Sequence, residues 1–171
     1  EQVEEYQVIR EEVEATVGRI NGRFGTVDHT PVVYLHRGHT QEETVSLFLA
    51  ADVLAVTSLR DGMNLVSKEY VACRLDDTGV LVLSEFAGAA DELHESLIVN
   101  PHDIEGLKSA LMRAIHMPKA EQKRRMQMMR LTLGQNDVAR WADRFISAVD
   151  EMAEAPVEYV IPEPMDGVSA S

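Results

Sequence analysis

Two apolar patterns alternate along the chain. The first is the short unbroken run: Val32-Val33-Tyr34-Leu35, Val53-Leu54-Ala55-Val56-Thr57, Val80-Leu81-Val82-Leu83-Ser84 and Leu97-Ile98-Val99-Asn100. Uninterrupted, β-branched runs of this length predict parallel strands buried on both faces. The second is the helical stripe. Val3, Tyr6, Val13, Val17 and Ile20 share one side of residues 1–21, which predicts a helix stopping near Asn21-Gly22 or Gly25. Thr40 and Glu43 form a capping box ahead of a helix buried through Val45, Phe48 and Leu49. Leu65, Val66, Glu69, Tyr70 and Cys73 predict a helix over about residues 64–74, with Asn64 as its N-cap.

The later part continues in the same way. Glu85-Phe86-Ala87-Gly88-Ala89-Ala90 is a small-residue turn opening a short helix through Leu93. Asp103 caps a helix with Leu107, Leu111, Ala114 and Ile115 inward, ended by Pro118. Residues 119–133 form a basic, Met-rich helix stopped at Gly134, with Met126, Met129 and Leu133 as its buried stripe. Its cations, Lys119, Lys123, Arg124, Arg125 and Arg130, are expected to be a solvated side. Asn136 caps a last helix carrying Val138, Trp141, Ala142, Phe145, Ile146 and Val149. Residues 151–171 turn to Pro, Glu and small residues, an acidic tail expected to be disordered.

Strands alternating with helices define an α/β fold with a parallel sheet flanked by helices, occupying residues 1–150. Ligands on such sheets bind outside the carboxyl ends of the strands, so the loops at 36–40, 57–64 and 84–89 matter most. The net charge of −13 changes that picture little. Residues 150–171 hold six acidic residues and no basic one, and residues 1–30 hold seven against three, so the middle is near balance. The acidity does argue against nucleic acid as a partner, which needs a clustered basic face. The single cysteine, Cys73, excludes an internal disulfide framework, reads as a buried thiol and suits a reducing cytoplasm. No apolar run reaches membrane-spanning length, so no membrane partner is expected.

The chemistry concentrates in Arg60-Asp61-Gly62-Met63-Asn64-Leu65-Val66-Ser67-Lys68-Glu69-Tyr70. A strand, a glycine turn and a helix N-terminus in series make an anion site, because the first-turn N–H groups and the positive end of the helix dipole point the same way. Glu69, one turn into the helix, is placed to take hydroxyl donors beside that anion. A phosphorylated, hydroxylated ligand such as a nucleotide sugar fits both. The plainer reading of Asp61 as a turn aspartate and Glu69 as a solvated helix glutamate stands beside it. The histidines lack zinc spacing; His36 and His39 lie in one loop without a third ligand.

The stretch Arg60 to Cys73 resembles the signature of the trehalose-6-phosphate synthases, retaining glycosyltransferases built of two Rossmann-like lobes in the GT-B arrangement. Leu83-Ser84-Glu85-Phe86-Ala87-Gly88-Ala89-Ala90, Val99-Asn100-Pro101 and Gly18-Arg19-Ile20-Asn21-Gly22-Arg23-Phe24-Gly25 are similar to neighbouring blocks of that family, and the likeness runs from residue 1 to about 150. It implies the C-terminal, donor-binding half of a GT-B enzyme lacking its first strands. It also implies glucosyl transfer from UDP-glucose or another nucleoside-diphosphate glucose to glucose 6-phosphate, with retention and without a metal or other cofactor. By the same resemblance Asp61 is the catalytic-site carboxylate accepting sugar hydroxyls, while Gly62, Met63 and Asn64 line the glucose. Leu65 and Val66 give main-chain N–H groups to the diphosphate, Glu69 holds the ribose, and His36, Arg37 and His39 border the base.

The four runs would then be the third to sixth strands of a sheet ordered 3-2-1-4-5-6, with a two-strand gap beside the first. An N-terminal lobe or another chain is expected to complete that sheet, as is a homo-oligomer, and the 171 residues alone are not expected to turn over. A catalytically silent nucleotide-sugar-binding or regulatory module of the same fold is the alternative.

Overall fold

The computed structural model describes residues 2–135, in two compact units that divide between Thr44 and Val45. In the first unit α1 spans Gln2–Phe24, stopping at the second of the two expected places, and closes where the Gly25 N–H donates to Asn21 O at 2.8 Å. The expected strand at 32–35 does not form. Strand geometry is stable only when a ladder pairs the backbone, and Val32 is paired otherwise. Asn21 Nδ2 donates to Val32 O and Asn21 Oδ1 accepts from the Val32 N–H, both at 2.9 Å. Val33, Tyr34 and Leu35 remain exposed. Thr40 and Glu43 do make the reciprocal capping box, at 3.2 and 3.0 Å, ahead of α2 (Gln41–Ala50).

The second unit holds β1 (Val53–Val56), β2 (Val80–Ser84) and β3 (Leu97–Val99), all parallel and in the order β1-β2-β3. The central strand β2 is buried throughout and its side chains alternate between two cores. Leu81 and Leu83 pack with Tyr70, Val71, Met126 and Met129, from α3 (Leu65–Cys73) and α5 (Lys119–Gln135). Val80 and Val82 pack with Ala114 of α4 (Ile104–Ile115) and with Met117. Helices on both faces explain why β2 reads as an unbroken apolar run. Without a paired strand on its outer edge among the described residues, β1 is half-buried with Ala55 exposed.

Several finer expectations are corrected. Ile115 and Leu49 face solvent, and Cys73 is only half-buried. The α5 helix runs through Gly134 to Gln135, the glycine costing the helix too little to end it. The basic side of α5 is largely committed to partners: Arg124 pairs with Glu95 at 3.2 Å, Arg125 with Glu121 at 2.8 Å, and Arg130 with Asp77 and Arg74 O.

Arg74, only 3% exposed, is a feature the pattern gave no sign of. Its Nη1 donates to Phe48 O, Leu49 O and Ala51 O at 2.8–3.1 Å, so one guanidinium closes the end of α2, while Nε donates to Thr78 O. The expected helix over 137–150 and the tail at 151–171 lie outside the described residues.

Candidate functional site

Beyond Val56, at the carboxyl end of β1, the chain turns through residues 57–64 before α3 begins. The turn is shaped by one carboxylate. Asp61 Oδ1 accepts from the Met63 and Asn64 N–H groups at 3.1 and 2.8 Å, and Asp61 Oδ2 accepts from Asn64 Nδ2 at 2.9 Å. These three donors hold the Asp61 carboxyl below the ordinary carboxylate range, the Asn64 side chain most strongly, so it stays ionised. Asn64 is the N-cap, in the left-handed region at φ 67°, and its Oδ1 accepts from the Ser67 N–H at 2.9 Å. Asparagine tolerates that conformation better than other residues with a Cβ.

These bonds leave a definite remainder. A helix start presents four backbone N–H groups without intrahelical acceptors. Asp61 takes that of Asn64, and Asn64 takes that of Ser67. Those of Leu65 and Val66 have no acceptor among the described residues. Their side chains, with that of Met63, are exposed, so the donors sit beside an apolar rim. Glu69 is exposed one turn on, and no ion pair engages it among the described residues.

A second loop holds the first in place. Ser84, at the end of β2, donates through Oγ to Ser58 O at 2.6 Å and accepts the Phe86 N–H at 3.1 Å. Asp61 N–H donates to Phe86 O at 3.1 Å, Gly88 N–H to Asp61 O at 2.9 Å, and Ala89 N–H to Met63 O at 2.8 Å. The loops approach so closely that a Cβ on Gly88 would lie 2.2 Å from Gly62 O. Beyond Gly88 the 3-10 turn Gly88–Asp91 leads to Glu92, which pairs with Lys68 of α3 at 2.6 Å. Neither this pair nor the role of Ser84 was read from the sequence, because both join residues some two dozen positions apart.

The structure therefore brings Asp61, Gly62, Met63, Asn64, Leu65, Val66 and Glu69 onto one loop and helix start. His36, Arg37 and His39 belong to the first unit. There Arg37 makes two bonds to Glu43, at 2.9 and 3.0 Å, which with the Thr40 N–H hold the Glu43 carboxyl down to about 2. His36 stacks on Tyr34, and His39 Nδ1 lies 3.7 Å from Glu43 Oε2. Among the described residues no group of three or more His, Cys, Asp or Glu could hold a metal ion, and no helix is long and apolar enough to cross a membrane. An open hollow of about 400 Å3 at the start of β3 is bordered by Arg113 and Arg125. It lies away from the carboxyl ends of the strands, and Glu121 already pairs with both arginines.

The family model for glycosyltransferase family 20 matches residues 1–151, and the chain belongs to that family. A trehalose-6-phosphate synthase of Mycobacterium leprae is 50% identical over 156 residues, which is 91% of this chain and 31% of that protein. Among solved structures, an alpha,alpha-trehalose-phosphate synthase (UDP-forming) from Burkholderia vietnamiensis superposes with a TM-score of 0.81 at 48% identity, covering 89% of this chain and 34% of its own. One from Burkholderia xenovorans, in complex with glucose-6-phosphate, gives 0.79 at 49%, covering 85% and 32%. The chain thus spans about a third of the length of these relatives, and its fold is that of the C-terminal portion of a GT-B glycosyltransferase.

Proposed function

We propose that the chain is the donor-binding part of a trehalose-6-phosphate synthase, which transfers glucose from UDP-glucose or another nucleoside-diphosphate glucose to glucose 6-phosphate with retention. The observation that carries the reading is the pair of unclaimed N–H groups of Leu65 and Val66 at the start of α3, with a clamped carboxylate on one side and an unpaired one on the other. The scissile bond leaves the sugar carbon positive and the diphosphate negative. Fixed donors and the dipole of α3 stabilise the leaving diphosphate, and they need no rearrangement as charge develops. Asp61 and the backbone of Gly62, Met63 and Asn64 hold the glucose, since a carboxylate with each oxygen partly used still accepts hydroxyl donors. Glu69 takes the ribose hydroxyls. The reaction needs no metal, since the helix start does the electrostatic work that a cation would otherwise do.

The relatives named above supply the acceptor: one is UDP-forming and another was solved with glucose-6-phosphate. An N-terminal lobe or a second chain completes the sheet and brings the acceptor, the enzyme works as a homo-oligomer in the cytoplasm, and these 171 residues alone do not turn over. The test is nucleotide release from UDP-glucose with and without glucose 6-phosphate, on the full polypeptide that carries these residues, with NMR of the product's anomeric protons. Acceptor-dependent release and an α,α linkage are expected. Donor binding without turnover in that polypeptide would instead identify a silent module.

A further inference from the structure

Resting on that reading, we infer that the Lys68–Glu92 ion pair is a positioning device for the donor site, setting where the Leu65 and Val66 N–H groups stand. Lys68 Nζ lies 2.6 Å from Glu92 Oε1, with the two side chains 20% and 32% exposed. Lys68 follows the two free donors within one turn of the same helix, so whatever fixes its amine fixes the start of α3. Glu92 follows directly on the 3-10 turn Gly88–Asp91, whose Gly88 and Ala89 N–H groups hold the Asp61 and Met63 carbonyls. Among the described residues the pair is the side-chain hydrogen bond that joins α3 to the segment supporting the glucose loop, beside the apolar packing of Ala87, Ala89 and Leu93 with Tyr70 and Val71.

The carboxylate is committed to this task. Glu92 Oε2 is sealed from solvent and has no hydrogen-bond partner among the described residues, so Lys68 alone compensates the charge. Removing the amine strands a half-sealed carboxylate, which must turn outward to be solvated and draws the 88–92 turn with it. Removing the carboxylate unties Lys68 from the 88–92 turn and lets the helix start drift. Angular error there is costly because anion binding by fixed donors depends on their alignment.

The test uses Lys68→Met, Glu92→Gln, the conservative Lys68→Arg and the swapped double variant Lys68→Glu/Glu92→Lys, all in the full polypeptide. Each neutral single variant is expected to raise the KM for UDP-glucose at least fivefold, with kcat and the KM for glucose 6-phosphate within twofold of the unsubstituted enzyme. Lys68→Arg and the swap are expected to return to within threefold. A donor KM unchanged in both neutral variants overturns the inference. So does a loss spread equally over both substrates and unrelieved by Lys68→Arg, which is the mark of a purely structural pair. Should a neutral variant fail to fold, Lys68→Arg and the swap still decide through the same ratio of the two KM values. Unsubstituted enzyme that takes no nucleoside-diphosphate glucose would overturn the function itself. Normal donor use, weakened by Glu69→Ala but indifferent to the pair, overturns only this inference.

Discussion

Gly88→Ala is the most exacting test of how the two loops support each other. Its Cβ would stand 2.2 Å from Gly62 O, 2.9 Å from Gly62 C and 3.3 Å from Met63 Cα, all backbone atoms that no rotamer change can move aside. Ordinary carbon contacts begin near about 3.5 Å, so the loops must part by roughly 1 Å. That separation acts on the Gly88 N–H to Asp61 O and Ala89 N–H to Met63 O bonds, at 2.9 and 2.8 Å. Two lost hydrogen bonds cost about 2 kcal/mol together, and forcing a methyl into a filled space about 1–3 kcal/mol more. The reduced freedom of the unfolded chain returns about 0.4–1 kcal/mol. The net expectation is a loss of about 2–5 kcal/mol, read by urea unfolding followed by circular dichroism. Donor affinity should fall with it, because the displaced atoms are those of Gly62 and Met63. A midpoint and slope unchanged from the original chain would refute the close-contact argument.

Three other outcomes are expected. Arg74→Met should cost about 3–5 kcal/mol in chemical unfolding, since it takes the guanidinium donor from the carbonyls of Phe48 and Leu49, leaves Ala51 O with the Tyr70 hydroxyl and leaves Asp76 without its cation. Asn64→Gly should be milder than Asn64→Ala by about 1 kcal/mol: both lose the bond to the Ser67 N–H, but only alanine is strained at φ 67°. Equal losses would show that the left-handed turn carries no strain. Glu43, Asp61, Asp76, Asp77 and Glu121 all hold folded carboxyl groups below their ordinary values, chiefly through hydrogen bonds to Arg37, Asn64, Thr78, Arg130 and Arg125 respectively. Groups depressed on folding stabilise above their unfolded values and lose that contribution as pH falls through the folded ones. Thermal midpoints should therefore be level above pH 5 and fall as pH drops from about 4.5 toward about 2; a rise on acidification would contradict these pairings.

Much of the fold was legible because burial on both faces leaves an unmistakable run of apolar residues, as at β2, and because caps such as Asn64 and Asp103 are local chemistry. The run at 32–35 shows the limit of that signal. Its composition matches β2, but a strand also needs a neighbour, and no pattern within a segment says whether one is present. Here the Asn21 amide, eleven residues away, takes the backbone of Val32 instead. At the site, Asp61, Asn64 and the helix start were readable from spacing. The turn-aspartate reading of Asp61 also describes what its carboxylate does, for it caps the loop it was expected to serve. Long-range partners were invisible: Arg74 with the end of α2, Arg130 with Asp77, and Lys68 with Glu92 are side-chain meetings that follow only once the helices have packed. The same holds for α5, whose cations read as a solvated side until Glu95, Glu121 and Asp77 were brought against them.

The most direct trial of donor binding at the α3 N-terminus is calorimetric titration of UDP-, ADP- and GDP-glucose into the full polypeptide that carries these residues, alongside its Glu69→Ala variant. Saturable binding of at least one of these sugars is predicted, weakened about tenfold or more by Glu69→Ala, as befits lost hydrogen bonds from two ribose hydroxyls to a charged acceptor. Binding that is indifferent to Glu69→Ala, or no binding of any of the three, would contradict it.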